Sequence, residues 1–154
     1  RSSDLFIDLA EKRKSGGKYK NFYLLEETED NELLALSFKG TKENAAGVSL
    51  YLSSFLSKNG IEESRANRIA VAVEEMAASC AERMEGKKKF AGIDIRIFAD
   101  KNETIISVRD NGDEFDPLND DKEFEMSPLT VVKAISDKVE YSRALGFNRT
   151  IIKL

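Results

Sequence analysis

One run of sequence limits the possible folds more than any other. From Glu62 to about Met84 the apolar residues Ile69, Val73, Met76, Cys80 and Met84 recur at spacings of four, three, four and four. That period is helical, and it draws a single apolar stripe down about six turns, which predicts an amphipathic helix lying on a larger apolar surface. Two alternating segments follow at once. Ile93, Ile95 and Ile97 alternate with Asp94, Arg96 and Phe98, and Ile106 and Val108 lie within Thr104 to Asp110, with a turn expected at Asp100-Lys101-Asn102. The surface under the helix is therefore expected to be a sheet with one buried face.

The flanking segments continue this pattern. Leu34, Leu36 and Phe38 alternate in a strand that stops at Gly40, and Thr41 caps a helix carrying Ala45, Val48, Leu52, Phe55 and Leu56 that ends at Asn59-Gly60. After a polar stretch from Asn111 to Ser127, a short helix is expected from Pro128 (Leu129, Val132, Ile135). A strand over Val139 to Arg143, a turn at Gly146 and a terminal strand over Thr150 to Leu154 complete the chain. Strands grouped in hairpins with few helices predict an α+β two-layer sandwich, its mixed, mostly antiparallel sheet covered on one face by helices. The expected division is an N-terminal extension over residues 1–32, a peripheral helix and loop, followed by one domain over residues 33–154.

Composition removes several kinds of chemistry. The chain has no histidine and one cysteine, so Ser-His-Asp and Cys-His nucleophiles and the usual histidine-containing zinc sites cannot be built. Cys80, among alanines, reads as a small buried hydrophobe of a reducing compartment. No run approaches the roughly 18–20 apolar residues of a membrane helix, so no direct membrane insertion is expected of this piece. Arg1 stands where an initiator Met would, so part of a longer protein is expected, cytoplasmic or the cytosolic domain of a membrane-attached one.

Net charge is −4, which gives no reason to expect nucleic acid. From Asp110 to Glu125, however, eight acids face one base, Lys122. The runs Lys12-Arg13-Lys14 and Lys87-Lys88-Lys89 lack interleaved aromatics and read as solvated faces.

No phosphate-loop motif is present. Gly17-Lys18 is followed by Tyr19 and lacks the upstream glycine of a Walker loop, no G-x-G-x-x-G occurs, and the acidic stretch does not fit a calcium loop around Gly112. What remains is Asp110-Asn111-Gly112-Asp113-Glu114-Phe115-Asp116-Pro117. Read alone, Asn-Gly makes a turn, Phe115 anchors the loop and the acids face solvent. Read as a site, a strand-end aspartate in a cleft accepts from an exocyclic amine while Gly112 lets a flat ring lie against the backbone. On the long helix, Glu75, Ser79 and Arg83 form a second stripe about 100° from the core stripe, which flanks the sheet.

Together Ala72-Val73-Glu74-Glu75-Met76-Ala77-Ala78-Ser79, then Val108-Arg109-Asp110-Asn111-Gly112 with Phe115-Asp116-Pro117, then Val139 to Asn148 resemble the histidine-kinase-like (Bergerat, or GHKL) ATPase domains of the anti-sigma-factor serine kinase type. The resemblance covers about residues 33–154. It implies ATP or ADP with magnesium as cofactors and assigns roles by position. Glu75 corresponds to the catalytic base, and Ser79 stands where an asparagine would bind magnesium. Asp110 corresponds to the acceptor of the adenine amino group, Gly112 shapes that pocket, and Thr150 assists through a water.

Two departures bear on these roles. Serine offers one oxygen on a shorter side chain, which weakens the metal site. The region matching the family's glycine-rich phosphate lid, Glu123 to Leu129, has no glycine, Pro128 removes an N–H donor, and the acidic run repels a triphosphate. Besides a purely structural domain with no ligand, two readings stay open. One is a regulatory domain with weakened or lost Mg-ATP binding that acts through protein contacts, the partner being a sigma factor, an antagonist or another domain of its own chain. The other is an active ATP-dependent protein serine kinase or ATPase. The family also implies a homodimer.

Overall fold

The computed structural model describes residues 22–24, 32–87, 91–99, 102–119 and 128–154. Six strands form one sheet: β1 (Phe22–Leu24), β2 (Glu32–Lys39), β3 (Gly92–Ala99), β4 (Thr104–Asp110), β5 (Lys138–Ala144) and β6 (Phe147–Lys153), in spatial order β1-β2-β3-β4-β6-β5. Every described pair is antiparallel, so the mostly antiparallel sheet expected from the hairpins lies at its antiparallel extreme. Three helices accompany it: α1 (Lys42–Lys58), α2 (Glu63–Arg83) and α3 (Pro128–Ile135). The expected α+β two-layer sandwich is the fold observed.

The local signals act as their chemistry predicts. Thr41 Oγ1 accepts from the Asn44 amide at 3.2 Å to start α1, and Gly60 takes φ +85° just beyond its end. Alternation on the strands sends one set of side chains inward. Leu34, Leu36 and Phe38 lie in register with Ile97, Ile95 and Ile93, and those three with Ile106, Val108 and Asp110. On these inner rows sit Val48, Leu52 and Leu56 of α1 and Ile69, Val73, Met76 and Cys80 of α2, all buried in one continuous core. Each large aliphatic side chain buried there contributes about 1.5–3 kcal/mol relative to exposure. Helix α3 adds Leu129 and Val132 and packs on α2. Among the described residues no helix lies on the outer face of the sheet.

Two expectations change. Residues 22–24, expected within a loop of the N-terminal extension, form an edge strand on β2, with Phe22 opposite Phe38 and Leu24 opposite Leu36. The peripheral helix expected before them lies outside the described residues, as do Lys12-Arg13-Lys14, the turn residues Asp100 and Lys101, and the lid positions 120–127. The terminal strand begins at Phe147 rather than Thr150, because Asn148, Thr150 and Ile152 continue one inward alternation. Its partner β5 reverses through Leu145 (φ +54°) and Gly146 (φ +80°), a two-residue turn with both residues left-handed. Among the described residues no helix is long and apolar enough to cross a membrane.

Candidate functional site

The inner face of the sheet is largely apolar, and its main polar cluster lies at one end. There the cross-strand row Phe38, Ile93, Asp110, Asn148, Arg143 turns polar as it passes from β3 to β4, β6 and β5. Strict alternation on β4 leaves Asp110 no choice of side: Thr104, Ile106, Val108 and Asp110 all point inward, and the Asp110 side chain is only 7% exposed. A buried carboxylate needs donors, and this one has three. Oδ1 accepts from the Gly112 amide at 2.9 Å and from Asn148 Nδ2 at 3.0 Å, and Oδ2 faces Arg83 Nη2 at 3.5 Å.

The Asp110-to-Gly112 bond closes a tight turn in which a side chain would be crowded. A Cβ on residue 112 would stand 3.0 Å from Asp110 Oδ1 and 3.4 Å from Met84 Sδ. Glycine is favoured here by the close approach of Asp110 and Met84, a constraint within the chain that is separate from the flat-ring role read from the sequence. Asn111 faces the other way, its Oδ1 accepting from the Gly92 amide at 2.8 Å. Asp116 Oδ1 accepts from the Leu118 amide at 2.8 Å and so starts the short 3₁₀ turn Pro117–Asn119, while Asp113 pairs with Lys87. Of the acids read as solvent-facing, Asp113 and Glu114 are exposed and Asp116 is half-buried.

Asn148 is the hub of the site. Its Nδ2 donates to Asp110 Oδ1 and to the Asp113 carbonyl at 2.8 Å, and its Oδ1 receives Tyr141 Oη–H at 2.6 Å, Arg143 Nη1 at 3.0 Å and the Phe115 amide at 3.2 Å. Arg143 Nη1 also donates to the Gly112 carbonyl at 3.1 Å. These bonds fasten the loop from Gly112 to Phe115 onto the β5–β6 hairpin. Neither Asn148 nor Arg143 nor Tyr141 was singled out from sequence as a site residue. The available signal was the period-two alternation that puts Asn148 and Thr150 on the same face as Ile152.

Helix α2 delivers the third component. Glu75, Ser79 and Arg83 follow one another by single turns. Ser79 is buried, and Glu75 and Arg83 are half-buried. Arg83 reaches the sheet end: besides facing Asp110, its guanidinium lies 4.4 Å from the centroid of the Phe115 ring. Its Nε and Nη1 are buried and, among the described residues, without a hydrogen-bond partner. Phe115 therefore anchors the loop, as expected, and does so by stacking on a cation. Thr150 is buried one row further in, opposite Val108 and Tyr141. Glu75 and Ser79 share the helix face with Arg83, but no described hydrogen bond joins them to the Asp110 network.

The titrating groups fit this layout. Burial raises the Glu75 carboxyl above its ordinary range, with Glu74 pushing the same way. Burial pushes the Cys80 thiol up to about 11, helped by Asp110 and opposed by Arg83, so the lone cysteine is an inert core residue.

Whether a nucleotide and its metal fit can be asked of these residues directly. Three of the roughly four acceptor positions of a carboxylate are already taken on Asp110. Ser79 supplies one neutral oxygen, and no cluster of three His, Cys, Asp or Glu side chains suited to a metal exists among the described residues. Among the described residues, what these groups still offer such a ligand is the remaining acceptor position of Asp110 and the single Ser79 oxygen.

An antiparallel sheet covered on one face by helices, with an aspartate at a strand end beside a glycine turn, is consistent with an ATPase- or kinase-like α+β fold. A family model for the histidine kinase-like ATPase domain matches residues 38–154, and the chain belongs to that family. A search of curated proteins returned no match.

Proposed function

We propose that this domain is a regulatory member of its family, of the anti-sigma serine kinase type, in which Mg-ATP binding is weakened or lost and which acts through protein contacts. One observation carries the reading: the carboxylate that would receive an adenine amino group is already bonded to this chain's own donors. Arg83 presents to Asp110 Oδ2 the kind of N–H that a base amine would present, and rests on Phe115 as a flat ring would. Serine at position 79 and the glycine-free acidic stretch after Gly112 act in the same direction. The partner is a sigma factor, an antagonist of one, or another domain of the same polypeptide, and the compartment is the cytoplasm.

The competing reading, an active ATP-dependent serine kinase or ATPase, is favoured by Glu75. Its carboxyl sits at the family's base position with an affinity for protons raised by burial, the direction that suits a general base. Calorimetric titration with ATP and ADP, each with and without magnesium, separates the two. The proposal expects no magnesium-dependent heat at micromolar ligand. Magnesium-dependent micromolar binding would overturn it in favour of the enzyme, and Glu75→Ala would then abolish phosphoryl transfer.

A further inference from the structure

The outer face of the sheet, away from the helices and the Asp110 site, has a charge pattern that sheet stability does not explain. In one cross-strand row Ser37, Asp94, Arg109, Arg149 and Ser142 follow one another, and in the next Arg96 and Ser107 are neighbours. Arg109 and Arg149 are directly opposite on adjacent strands, an arrangement of like charges that disfavours pairing. Asp94, Arg96, Phe98, Ser107, Arg109 and Arg149 line a shallow pocket of about 280 Å³.

Among the described residues lining this pocket Asp94 is the one carboxylate, and its ion pair is with Arg109 rather than Arg149. Asp94 Oδ2 accepts from Arg109 Nη2 at 2.7 Å, and Asp94 Oδ1 accepts from the Ser37 hydroxyl. The Arg109 guanidinium is further held 4.8 Å from the Phe147 ring centroid, so it is fixed before any ligand arrives. Arg149 is exposed and, among the described residues, has no carboxylate partner. The cations are arginines, whose planar forks bind carboxylates in pairs of hydrogen bonds.

From this arrangement we infer that the outer face docks an acidic segment of a partner protein, carboxylates of an extended peptide seating on Arg109 and Arg149 beside the Ser107 hydroxyl. Charge complementarity selects the occupant. A second copy meeting this face symmetrically would set arginine on arginine. Nucleic acid would meet a chain whose net charge is −4. Neighbouring strands are about 4.8 Å apart and alternate residues of an extended peptide about 6.6 Å apart, so two carboxylates of one peptide reach both guanidinia. The inference rests on the protein-contact part of the proposed function and gives that partner its chemistry. It is independent of whether nucleotide binds.

The test is fluorescence anisotropy of a labelled peptide of alternating glutamate and serine, titrated with the whole chain at low and at physiological ionic strength. Saturable binding is expected, weakened by salt, weakened roughly tenfold or more by Arg149→Glu and less by Arg149→Gln. Asp94→Asn, which removes the internal competitor, should tighten it. The inference is overturned if the wild-type chain shows no saturable binding, if Arg149→Glu binds like wild type, or if single-stranded DNA of equal charge binds as tightly as the peptide. Thermal unfolding of each variant confirms that it is folded, and Arg149 is exposed, so folding is expected to survive. Because ADP titration of the same preparations is a separate readout, failure here and failure of the weakened-nucleotide reading are told apart.

Discussion

Replacing Arg83 with alanine should open the base pocket and reveal adenosine binding. At 3.5 Å, and with an effective dielectric constant of about 20, the attraction between Arg83 and Asp110 is roughly 5 kcal/mol before desolvation. Against this stand the buried, unbonded Nε and Nη1 of the same guanidinium, at about 1–3 kcal/mol each. The stack on Phe115 returns about 0.5–2 kcal/mol. These contributions sum to a net hold centred near about 2 kcal/mol, so a base that must displace Arg83 binds on the order of 30-fold more weakly than to an open pocket. Arg83→Ala should therefore lower the thermal midpoint by about 2–4 °C for each kcal/mol lost, while adenosine affinity rises at least fivefold or so in calorimetry. Adenosine is the proper ligand because it lacks the phosphates that the acidic loop repels. Arg83→Met, which keeps a side chain against Phe115 without donors, separates charge from volume. A folded Arg83→Ala protein that is destabilised as expected, yet binds adenosine no better than wild type, would refute the reasoning.

Three further outcomes follow from the same structure. Asn148→Ala removes both ends of a buried hub and strands the Tyr141 hydroxyl and one Asp110 acceptor, so it should cost about 3 kcal/mol or more, measured as a lowered urea midpoint at unchanged slope. The Glu75 carboxyl binds protons more tightly folded than unfolded, so the folded state holds more protons just above the ordinary carboxylate range and stability falls as pH rises through that range. Glu75→Gln should accordingly be more stable than wild type at neutral pH, with the gap closing below about pH 4.5, as read from thermal midpoints against pH. Leu145 is 96% exposed at φ +54°, so Leu145→Asn loses no burial, relieves left-handed strain and should stabilise by about 0.5–1 kcal/mol in urea unfolding.

Much of the fold is legible because its causes are local. The stripe from Ile69 to Met84 and the alternation in β3 and β4 each report one buried face, and Thr41 and Gly60 mark the ends of α1 through hydrogen bonding and a left-handed φ. The short strand at residues 22–24 was not legible. Three residues carry too little alternation to register, and that strand exists by pairing with β2, a partner supplied by the fold. The start of β6 was misjudged for a related reason: Asn148 is a poor strand former by propensity, and its place is set by five hydrogen bonds to groups elsewhere in the chain.

The site divides along the same line. Asp110 and Gly112 could be found from sequence because the aspartate ends an alternating strand and the glycine follows it within one turn, so both constraints lie within three residues. The Glu75, Ser79 and Arg83 stripe could be assigned to a flank of the helix by angle alone, but angle does not say which of three polar residues touches the sheet. That is decided by the distance along α2 at which the end of β4 crosses it, and the crossing falls at its last turn, beside Arg83 rather than beside Glu75 or Ser79. A buried carboxylate there needs a donor whether or not a ligand ever arrives. An arginine at the helix end meets that need permanently, stabilising the folded chain at the expense of the acceptor that a base would use. On the proposed reading the arginine that satisfies Asp110 also competes with a base for it, which is why stability and adenosine affinity are expected to move in opposite directions when Arg83 is removed.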